Sequence, residues 1–313
     1  MESKKVSVIM GVYNEKEEWV KKSIESIINQ TYKNIEFIVI LDNPQNKELS
    51  KLITKYANVD KRIRFYINEI NLGLIKTLNK AIDLSEGEYI ARMDADDISE
   101  KERIAKQVEF LEQNKDYSLV GAKLSYIDEV GKEINIIDKR PIEYKSIVEY
   151  CKYDNAFAHP TLMYKRDDII RIGKYKNAEY AEDYDLILRF IVDGKKVCNI
   201  DERLLKYRIR DTGVSISKKN YQVTTTQYLQ GLYKNSILNN TDYIFDEKYL
   251  DRLFEIDNTN KGIEIDNLHK KSLEYGDNGK KILKLRCIIK LILKSKKYRL
   301  WYKNKLITKI KFK

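Results

Sequence analysis

The first part of the chain alternates apolar segments with helical patterns, and this alternation constrains the fold more than any other feature. The apolar segments are Val6 to Val12, Ile35 to Leu41, Ile63 to Ile67 and Glu88 to Met93. Helical patterns lie between and after them, at Glu15 to Gln30, Lys47 to Tyr56, Leu74 to Leu84 and Arg103 to Phe110. Apolar strands separated by helices predict an α/β fold, with a mostly parallel sheet covered on both faces.

The second part of the chain has a different pattern. Ser118 to Ile137 predicts an antiparallel hairpin. A helix is predicted at Glu182 to Val192, and further strands are predicted at Ala156 to Tyr164, Lys196 to Ile200 and Leu204 to Ile209. From about Ser217 the pattern is helical, with a polar break at Asp257 to Ile263. We therefore predict a domain of residues 1–216 and a helical region of residues 217–313.

Three aspartates follow the fourth predicted strand. Asp94 and Asp96 are two residues apart at its end, where the strand period of two directs both side chains the same way. Asp97 is expected to help start the next helix, where Ser99 and Glu102 have the spacing of a capping box. Ligands of open α/β sheets bind at this edge, so the aspartates indicate either a divalent ion with a phosphorylated ligand or a plain turn.

A second Asp-x-Asp pattern, at Asp183 and Asp185, lies in a predicted helix, where the two side chains diverge by about 200°. Asp183 shares a face with the apolar residue Ile187. Asp185 lies on the other face, four residues before Arg189, and we expect it to form a solvated ion pair there.

Several kinds of site are excluded by composition. The chain has only two histidines, His159 and His269, so a His-rich zinc site is excluded. It also lacks the glycine motifs of P-loop and dinucleotide-binding proteins. The spacing of its three cysteines does not indicate disulfide pairs, and the N-terminus lacks the organisation of a signal peptide. We therefore expect the protein to lie in the reducing environment of the cytoplasm.

Basic charge is concentrated at the C-terminus. Residues 280–313 hold 14 Lys and Arg and no Asp or Glu, whereas the first 279 residues hold 45 basic and 48 acidic residues. Here an apolar helical face is formed by Leu285, Ile288, Ile289 and Ile292, and a neighbouring basic stripe by Arg286, Lys290, Lys294 and Lys297. This pattern predicts either a helix lying on an anionic membrane or a packed helix with a solvated lysine face.

Over residues 4 to about 217, the chain resembles the inverting nucleotide-sugar glycosyltransferases of family 2, which have the GT-A fold. The resemblance is carried by motifs in a fixed order, namely Val12-Tyr13-Asn14-Glu15, Asp42, Asn71-x-Gly73, Gly87 to Asp97, and Ala181-Glu182-Asp183. It implies a GT-A domain followed by a helical extension. Related chains commonly build capsules, exopolysaccharides or lipopolysaccharide.

The resemblance also implies roles for individual residues. A nucleotide-sugar pocket would be lined by Val12, Tyr13, Glu15, Asp42, Asn71, Arg92 and Asp94. Asp42 would accept a hydrogen bond from a uracil base, or alternatively would only form a turn with Asn43 and Pro44. Asp94 would reach the ribose and the metal region. Asp96, with Asp94, would coordinate Mn²⁺ or Mg²⁺ bridging the diphosphate. Asp183 would be the general base, or alternatively a carboxylate that only stabilises the helix N-terminus.

Three residues have weaker predictions. Glu182 would orient the acceptor, and His159 either contacts the acceptor or diphosphate or is a structural histidine. Related chains often have Tyr-Arg-x-His where this chain has Tyr207-Arg208-Ile209-Arg210, which leaves a third metal ligand open. Arg208 and Arg210 either contact the diphosphate or are surface charges on an edge strand.

These expectations describe a metal-dependent inverting enzyme. It would move a sugar from a UDP-sugar to a hydroxyl of a glycan or lipid-linked acceptor, in the cytoplasm or at the inner face of the cell membrane. The alternatives are an inactive nucleotide-sugar-binding partner and a nucleic-acid-binding protein that uses the basic tail. Because the first 279 residues are net acidic, no nucleic acid partner is expected.

Overall fold

A computed structural model describes residues 3–210, 218–277 and 279–312, apart from the side chain of residue 277. The chain forms two compact units. The first comprises Met1–Val148, Asn155–Lys176 and Leu186–Asp211, and the second comprises Glu149–Asp154, Asn177–Asp185 and Thr212–Lys313. The predicted boundary after residue 216 lies outside the described residues and stays a prediction.

All of the described strands belong to one mixed sheet in the first unit. They are β1 (Val6–Val12), β2 (Ile35–Leu41), β3 (Ile63–Ile67), β4 (Tyr89–Asp94), β5 (Ile98–Ser99), β6 (Tyr117–Ile127), β7 (Glu133–Ile134), β8 (Met163–Lys165) and β9 (Lys196–Arg208). Their order is β3-β2-β1-β4-β8-β6-β9-β5, and β7 pairs with β6 off this path. Strands β1 to β4 are mutually parallel.

The helices are numbered in chain order. They are α1 (Glu17–Ile28), α2 (Lys47–Val59), α3 (Leu74–Leu84), α4 (Arg103–Gln113), α5 (Tyr144–Tyr150), α6 (Arg166–Arg171), α7 (Glu182–Val192), α8 (Lys219–Asn239), α9 (Glu247–Asp257), α10 (Asn260–Asp277), α11 (Lys281–Lys294) and α12 (Lys296–Lys311). Helices α1 to α4 follow the predicted alternation with strands.

The central strand of the parallel region shows why the sheet is covered on both faces. Successive strand residues point to opposite faces, yet all seven residues of β2 are buried. Strand β1 lies between β2 and β4, and six of its seven residues are buried as well. The predicted α/β fold with a mixed, mostly parallel sheet is therefore confirmed.

Three predicted strands differ from the structure. The strand expected at Ala156 to Tyr164 is wrong, because His159–Thr161 form a 3₁₀-helix and strand β8 starts only at Met163. Pro160 lacks a backbone N–H and so favours a turn there. The two strands expected after Lys196 are one strand, β9, whose register with β6 shifts near Lys123.

The capping box expected before α4 is also wrong. Ser99 lies in the short strand β5 and pairs with Leu205 of β9. Helix α4 begins at Arg103 without a side-chain cap, and the side chain of Gln30 instead accepts a hydrogen bond from the Ile104 N–H at 3.0 Å. A distant glutamine therefore satisfies one of the unpaired N–H groups that a helix start leaves.

The second unit has its own core. Ile265 of α10, Leu291 of α11 and Tyr298 of α12 form a buried apolar cluster. Beside them the ammonium group of Lys297 donates to the Asp257 carboxylate at 2.5 Å. In the part of the chain that the structure describes, no helix combines the length and the apolar character needed to cross a membrane.

Gly87, in the turn before β4, is held by a buried polar cluster. Its N–H donates to the Ser7 hydroxyl at 2.8 Å, and that hydroxyl donates to Glu36 at 2.6 Å. A Cβ atom at position 87 would lie 2.7 Å from both the Lys5 carbonyl oxygen and the Ser7 nitrogen. The backbone of β1 therefore leaves no room for a side chain at this turn.

We predict that Gly87→Ala lowers the free energy of unfolding by about 1–3 kcal/mol, because overpacking forces the backbone of β1 to move. The matched control is Gly231→Ala in α8, where a Cβ would meet nothing within 4 Å. It should raise stability by about 0.5–1 kcal/mol, since alanine favours helix more than glycine does. Denaturant unfolding of both variants measures the difference, and equal effects would contradict the packing argument.

Candidate active site at the carboxyl edge of the sheet

The predicted site residues of the first unit come from neighbouring parallel strands. In the register of the sheet, Val12 at the end of β1 pairs with Leu41 at the end of β2, and Gly11 pairs with Asp94 at the end of β4. The segments that follow these strands therefore leave the sheet at one edge. This register gathers Tyr13, Asp42 and the aspartates after β4 on the side where ligands of open α/β sheets bind.

The aspartates form a compact acidic cluster. One carboxylate oxygen from each of Asp94, Asp96 and Asp97 lies within 4.8 Å of the others. Asp96 is 7% exposed and Asp97 is completely buried. Each of the first two carboxylates has an arginine partner, because Arg92 forms an ion pair with Asp94 and the Arg210 Nε lies 2.8 Å from an Asp96 oxygen.

The arginines do not fully offset the negative charge. Burial raises the pKa of Asp96 to about 6; the Asp94 carboxylate contributes to the rise and Arg210 opposes it. Burial, and then repulsion from Asp96 and Asp94, also raises the pKa of Asp97 well above its usual range. Raised carboxyl pKa values mean that the site favours additional positive charge.

The cluster fits a hard divalent cation. It offers only oxygen ligands, which Mg²⁺ and Mn²⁺ prefer. Among the described residues, the buried Oδ2 of Asp97 has no hydrogen-bond partner, and neither does the buried Nε of Arg92. A buried carboxylate oxygen without a partner next to two other carboxylates is consistent with a cation site.

Arg208 holds the acidic loop in place from the end of β9. Its backbone N–H donates to Asp97 Oδ1 and its Nε donates to the Asp96 carbonyl, both at 2.8 Å. Its Nη1 donates to the carbonyls of Asp128 at 2.9 Å and Glu129 at 3.0 Å. Because Arg208 is only 2% exposed, its interpretation as a surface charge on an edge strand is wrong.

Arg210 lies two residues after Arg208, just beyond the end of β9, and is more exposed than Arg208. Its guanidinium is 5.9 Å from the centre of the Trp19 ring, and that of Arg208 is 5.1 Å from it. Trp19 is buried and its indole N–H donates to the Glu129 carbonyl at 3.0 Å. The ring therefore supports both arginines by cation–π contact. Arg210 pairs with Asp96 here, and its contact with a diphosphate stays a prediction.

Asp42 organises the turn that precedes α3. One of its carboxylate oxygens accepts from the Asn68 amide at 2.7 Å and the Leu72 N–H at 2.8 Å, and the other accepts from the Gly73 N–H at 2.9 Å. The Asn71 side chain also accepts from the Gly73 N–H at 2.9 Å. Gly73 has φ of 80°, which a residue with a side chain rarely adopts. The predicted contacts of Asp42 and Asn71 with a base stay predictions.

The segment after β1 presents an aromatic side chain at the edge. Val12 is buried, whereas Tyr13 is 44% exposed. The Tyr13 N–H donates to the Glu15 carboxylate at 2.8 Å, which fixes the turn between β1 and α1. The predicted contact of Tyr13 with a nucleotide stays a prediction.

His159 lies in the first unit. Its Nε2 is 2.8 Å from the Tyr175 hydroxyl. Burial, and then the positive charge of Arg92, holds the pKa of His159 well below its usual range. The imidazole is therefore neutral near pH 7. The tyrosine partner agrees with a structural histidine, and contact with an acceptor stays a prediction.

The acidic residues at the start of α7 belong to the second unit. Glu182 and Asp183 are half-buried, and Asp183 Oδ1 accepts from the Tyr184 N–H at 2.7 Å. Asp185 is completely buried and accepts from the Tyr243 hydroxyl at 3.1 Å, so the prediction that it lies in solvent is wrong, while its ion pair with Arg189 stays a prediction. The sequence pattern placed Asp185 opposite the apolar face of α7, but tertiary packing covers that side as well.

Sequence reasoning missed Asn68 and Trp19 as residues that support the site, and it named Arg208 without the supporting role that its burial gives it. Asn68 directly follows β3. A search for polar residues at the carboxyl ends of the strands, which identifies Asp42 after β2, would also have identified Asn68. Lys80 donates to the Asn68 side chain at 2.8 Å and extends this polar group. For Trp19 and Arg208 no local signal exists, because their contacts join segments more than 75 residues apart.

We predict that Arg208→Met lowers the free energy of unfolding by about 3 kcal/mol, because it leaves buried carbonyl oxygens without their donor. The matched control is Arg203→Met on the same strand, where the arginine is exposed, and its effect should be below about 0.5 kcal/mol. Denaturant unfolding measures both. Equal stability of the two variants would show that Arg208 does not hold the acidic loop.

The chain is similar in sequence to known glycosyltransferases. Residues 7–173 match the model of glycosyl transferase family 2. The chain is 40% identical over 221 residues to an uncharacterized glycosyltransferase of Methanocaldococcus jannaschii, covering 70% of this chain and 76% of that protein. It is 35% identical over 237 residues to the O-antigen biosynthesis glycosyltransferase WbnJ of Escherichia coli, covering 75% of this chain and 91% of that protein.

Solved structures agree on the fold. S. aureus TarS 1–349 in complex with UDP is similar with a TM-score of 0.57 and 17% identity, over 80% of this chain and 69% of that one. In another crystal structure of S. aureus TarS the similarity covers only 42% of that chain. Since more than half of the residues match the family model and two relatives exceed 30% identity, the chain belongs to glycosyl transferase family 2 and is a glycosyltransferase of the GT-A fold.

Proposed function

We propose that this glycosyltransferase moves a sugar from a UDP-sugar to a hydroxyl group of a glycan or lipid-linked acceptor, with inversion at the anomeric carbon. The observation that carries the proposal is the acidic cluster of Asp94, Asp96 and Asp97 at the carboxyl edge of a parallel sheet in a chain of this family. The choice of uridine is supported by a structural neighbour that is a UDP complex.

The nucleotide would bind over the ends of β1 and β2. Tyr13 offers an exposed ring for contact with the base or ribose. A carboxylate has about four acceptor positions, and Asp42 uses three of them within the protein. One position is left for the imide N–H of uracil. The proposed pocket is completed by Val12, Glu15, Asn71 and Arg92. Asp94 is proposed to reach the ribose.

The diphosphate would lie beside the acidic cluster. Asp94 and Asp96 are proposed to hold Mn²⁺ or Mg²⁺, and such an ion acts as a Lewis acid toward the negative charge that develops on a departing diphosphate. Arg210 has a planar guanidinium that matches phosphate oxygens bidentately. We propose that it contacts the diphosphate, with Arg208 and Trp19 keeping its strand end in position.

Asp183 is the proposed general base. A half-buried carboxylate can take the proton of an attacking acceptor hydroxyl, and Glu182 beside it would orient the acceptor. His159 is a weaker candidate for contact with the acceptor or the diphosphate. Because a single direct displacement forms one bond as it breaks another, the product would have the inverted configuration.

The acceptor class is inferred from relatives. One relative is named for O-antigen biosynthesis and another for amylovoran biosynthesis. We therefore propose a role in the synthesis of a surface polysaccharide such as a capsule, an exopolysaccharide or lipopolysaccharide. The enzyme would work in the cytoplasm, and a lipid-linked acceptor would bring it to the inner face of the cell membrane.

We predict that Asp96→Asn abolishes the stabilisation of the protein by UDP with Mn²⁺. At a ligand concentration 100 times the Kd, wild-type protein should gain about 2.7 kcal/mol, seen as a higher melting temperature, and chelation of the metal should remove that gain. Without ligand, the variant should melt no lower than wild type, since the change removes one of three repelling carboxylates.

The matched control for this experiment is Asp116→Asn, which makes the same chemical change at an exposed surface carboxylate. It should keep the full stabilisation by UDP and Mn²⁺. If Asp96→Asn also kept the full stabilisation, the acidic cluster would not be the metal site.

We predict that Asp183→Asn lowers the rate of sugar transfer about 10²–10⁴-fold, the usual contribution of a positioned base, while UDP binding is unchanged. The readout is transfer from a labelled UDP-sugar to an acceptor extract from cells that make surface polysaccharide. Glu179→Gln, at an exposed residue just before α7, is the control and should retain full activity.

Two results of that assay would contradict the proposal. If Asp183→Asn transferred sugar at the full rate, Asp183 would not be the general base, although the protein would still be a glycosyltransferase. Binding of UDP and Mn²⁺ by the wild-type protein, without transfer or donor hydrolysis on any donor of a UDP-sugar panel, would favour a nucleotide-sugar-binding partner instead.

A further inference from the structure

Helix α11 presents an exposed apolar face. Ile282 is 73% exposed, Leu285 57%, Ile289 48% and Leu293 70%. Their spacing of three or four residues puts all four on one side of the helix. Exposed leucines and isoleucines are common singly, but a continuous row of four along one helix indicates a surface that something else covers.

The opposite side of α11 is the one that packs. Cys287 is 8% exposed and Leu291 is completely buried, in contact with the cluster of Ile265 and Tyr298. Ile288 is only half-buried. The exposed row therefore differs from the apolar face expected from the sequence, and it is left over after the helix has satisfied its packing within the second unit.

Basic residues flank the exposed row. At about 100° per residue, Arg286 and Lys290 lie along one side of it and Lys281 along the other. All three are exposed. Lys294 and Lys297 were expected in the same basic stripe, but Lys294 pairs with Glu264 and Lys297 is directed toward Asp257. The basic character beside the row thus comes from fewer residues than the sequence suggested.

We propose that this face of α11 lies in the interface of a membrane that contains anionic lipids. An apolar row inserts among acyl chains while flanking lysine and arginine side chains reach the phosphate groups. At 14 residues the helix is about 21 Å long, which is short for a bilayer core and suits a helix lying in the surface plane. The inference does not rest on the proposed sugar transfer.

Charge favours lipid over a second copy of this chain. In a symmetric dimer through the same face, Arg286 and Lys290 of each copy would approach those of the other. No acidic residue lies between Lys280 and Lys313 to offset them within this segment. Anionic lipid headgroups instead supply the complementary charge, and each basic residue adds to the attraction.

The test is sedimentation of the full chain with vesicles. Wild-type protein should bind vesicles of phosphatidylcholine with phosphatidylserine and remain largely free with phosphatidylcholine alone. The double variant Leu285→Gln/Leu293→Gln should lower the partition coefficient about tenfold or more, because it removes two inserted side chains. Arg286→Glu/Lys290→Glu should lower it by a similar factor.

The matched control is Leu238→Gln/Ile244→Gln, at residues that are 74% and 69% exposed outside α11. It should bind vesicles like wild type, and all variants should keep the wild-type melting temperature. Unchanged binding by the leucine variant would overturn the proposal. So would a lipid-free dimer, seen by sedimentation velocity, that the leucine variant dissociates, because the face would then be a protein interface.

Discussion

Repulsion among three carboxylates at the end of one strand is the constraint on which the site depends. Asp94, Asp96 and Asp97 lie within 4.8 Å of each other, and two of them are almost completely buried. Such an arrangement is unfavourable unless positive charge and donors compensate it. Arg92 and Arg210 supply part of that compensation. Because the two arginines leave part of the negative charge uncompensated, the cluster is a candidate cation site.

The rest of the first unit serves to hold this cluster at the sheet edge. The register of β1, β2 and β4 brings three strand ends together. Arg208 then ties the acidic loop to the end of β9 and to the turn after β6. Asp42 closes the neighbouring turn before α3. Rigid strands and buried hydrogen bonds thus position the polar groups, as preorganised sites require.

Local sequence patterns predicted much of this arrangement and missed the long-range part. The apolar strand patterns were sufficient to predict the parallel sheet. The rule that ligands bind at the carboxyl ends of its strands was sufficient to predict the acidic edge. Local patterns failed at Ser99, where a strand replaced a capping box, and at Asp185 and Arg208, which are buried although they look like surface charges. In each case a partner distant in sequence decides the outcome, and no local pattern records it.

The most direct test of the central claim is phosphorus magnetic resonance of UDP with the wild-type enzyme and Mn²⁺. If the acidic cluster holds a metal against the diphosphate, both UDP phosphorus nuclei should relax much faster with enzyme and Mn²⁺ than with Mn²⁺ alone at the same concentration. UDP that binds the enzyme while its phosphorus relaxation stays at the value without enzyme would contradict the account.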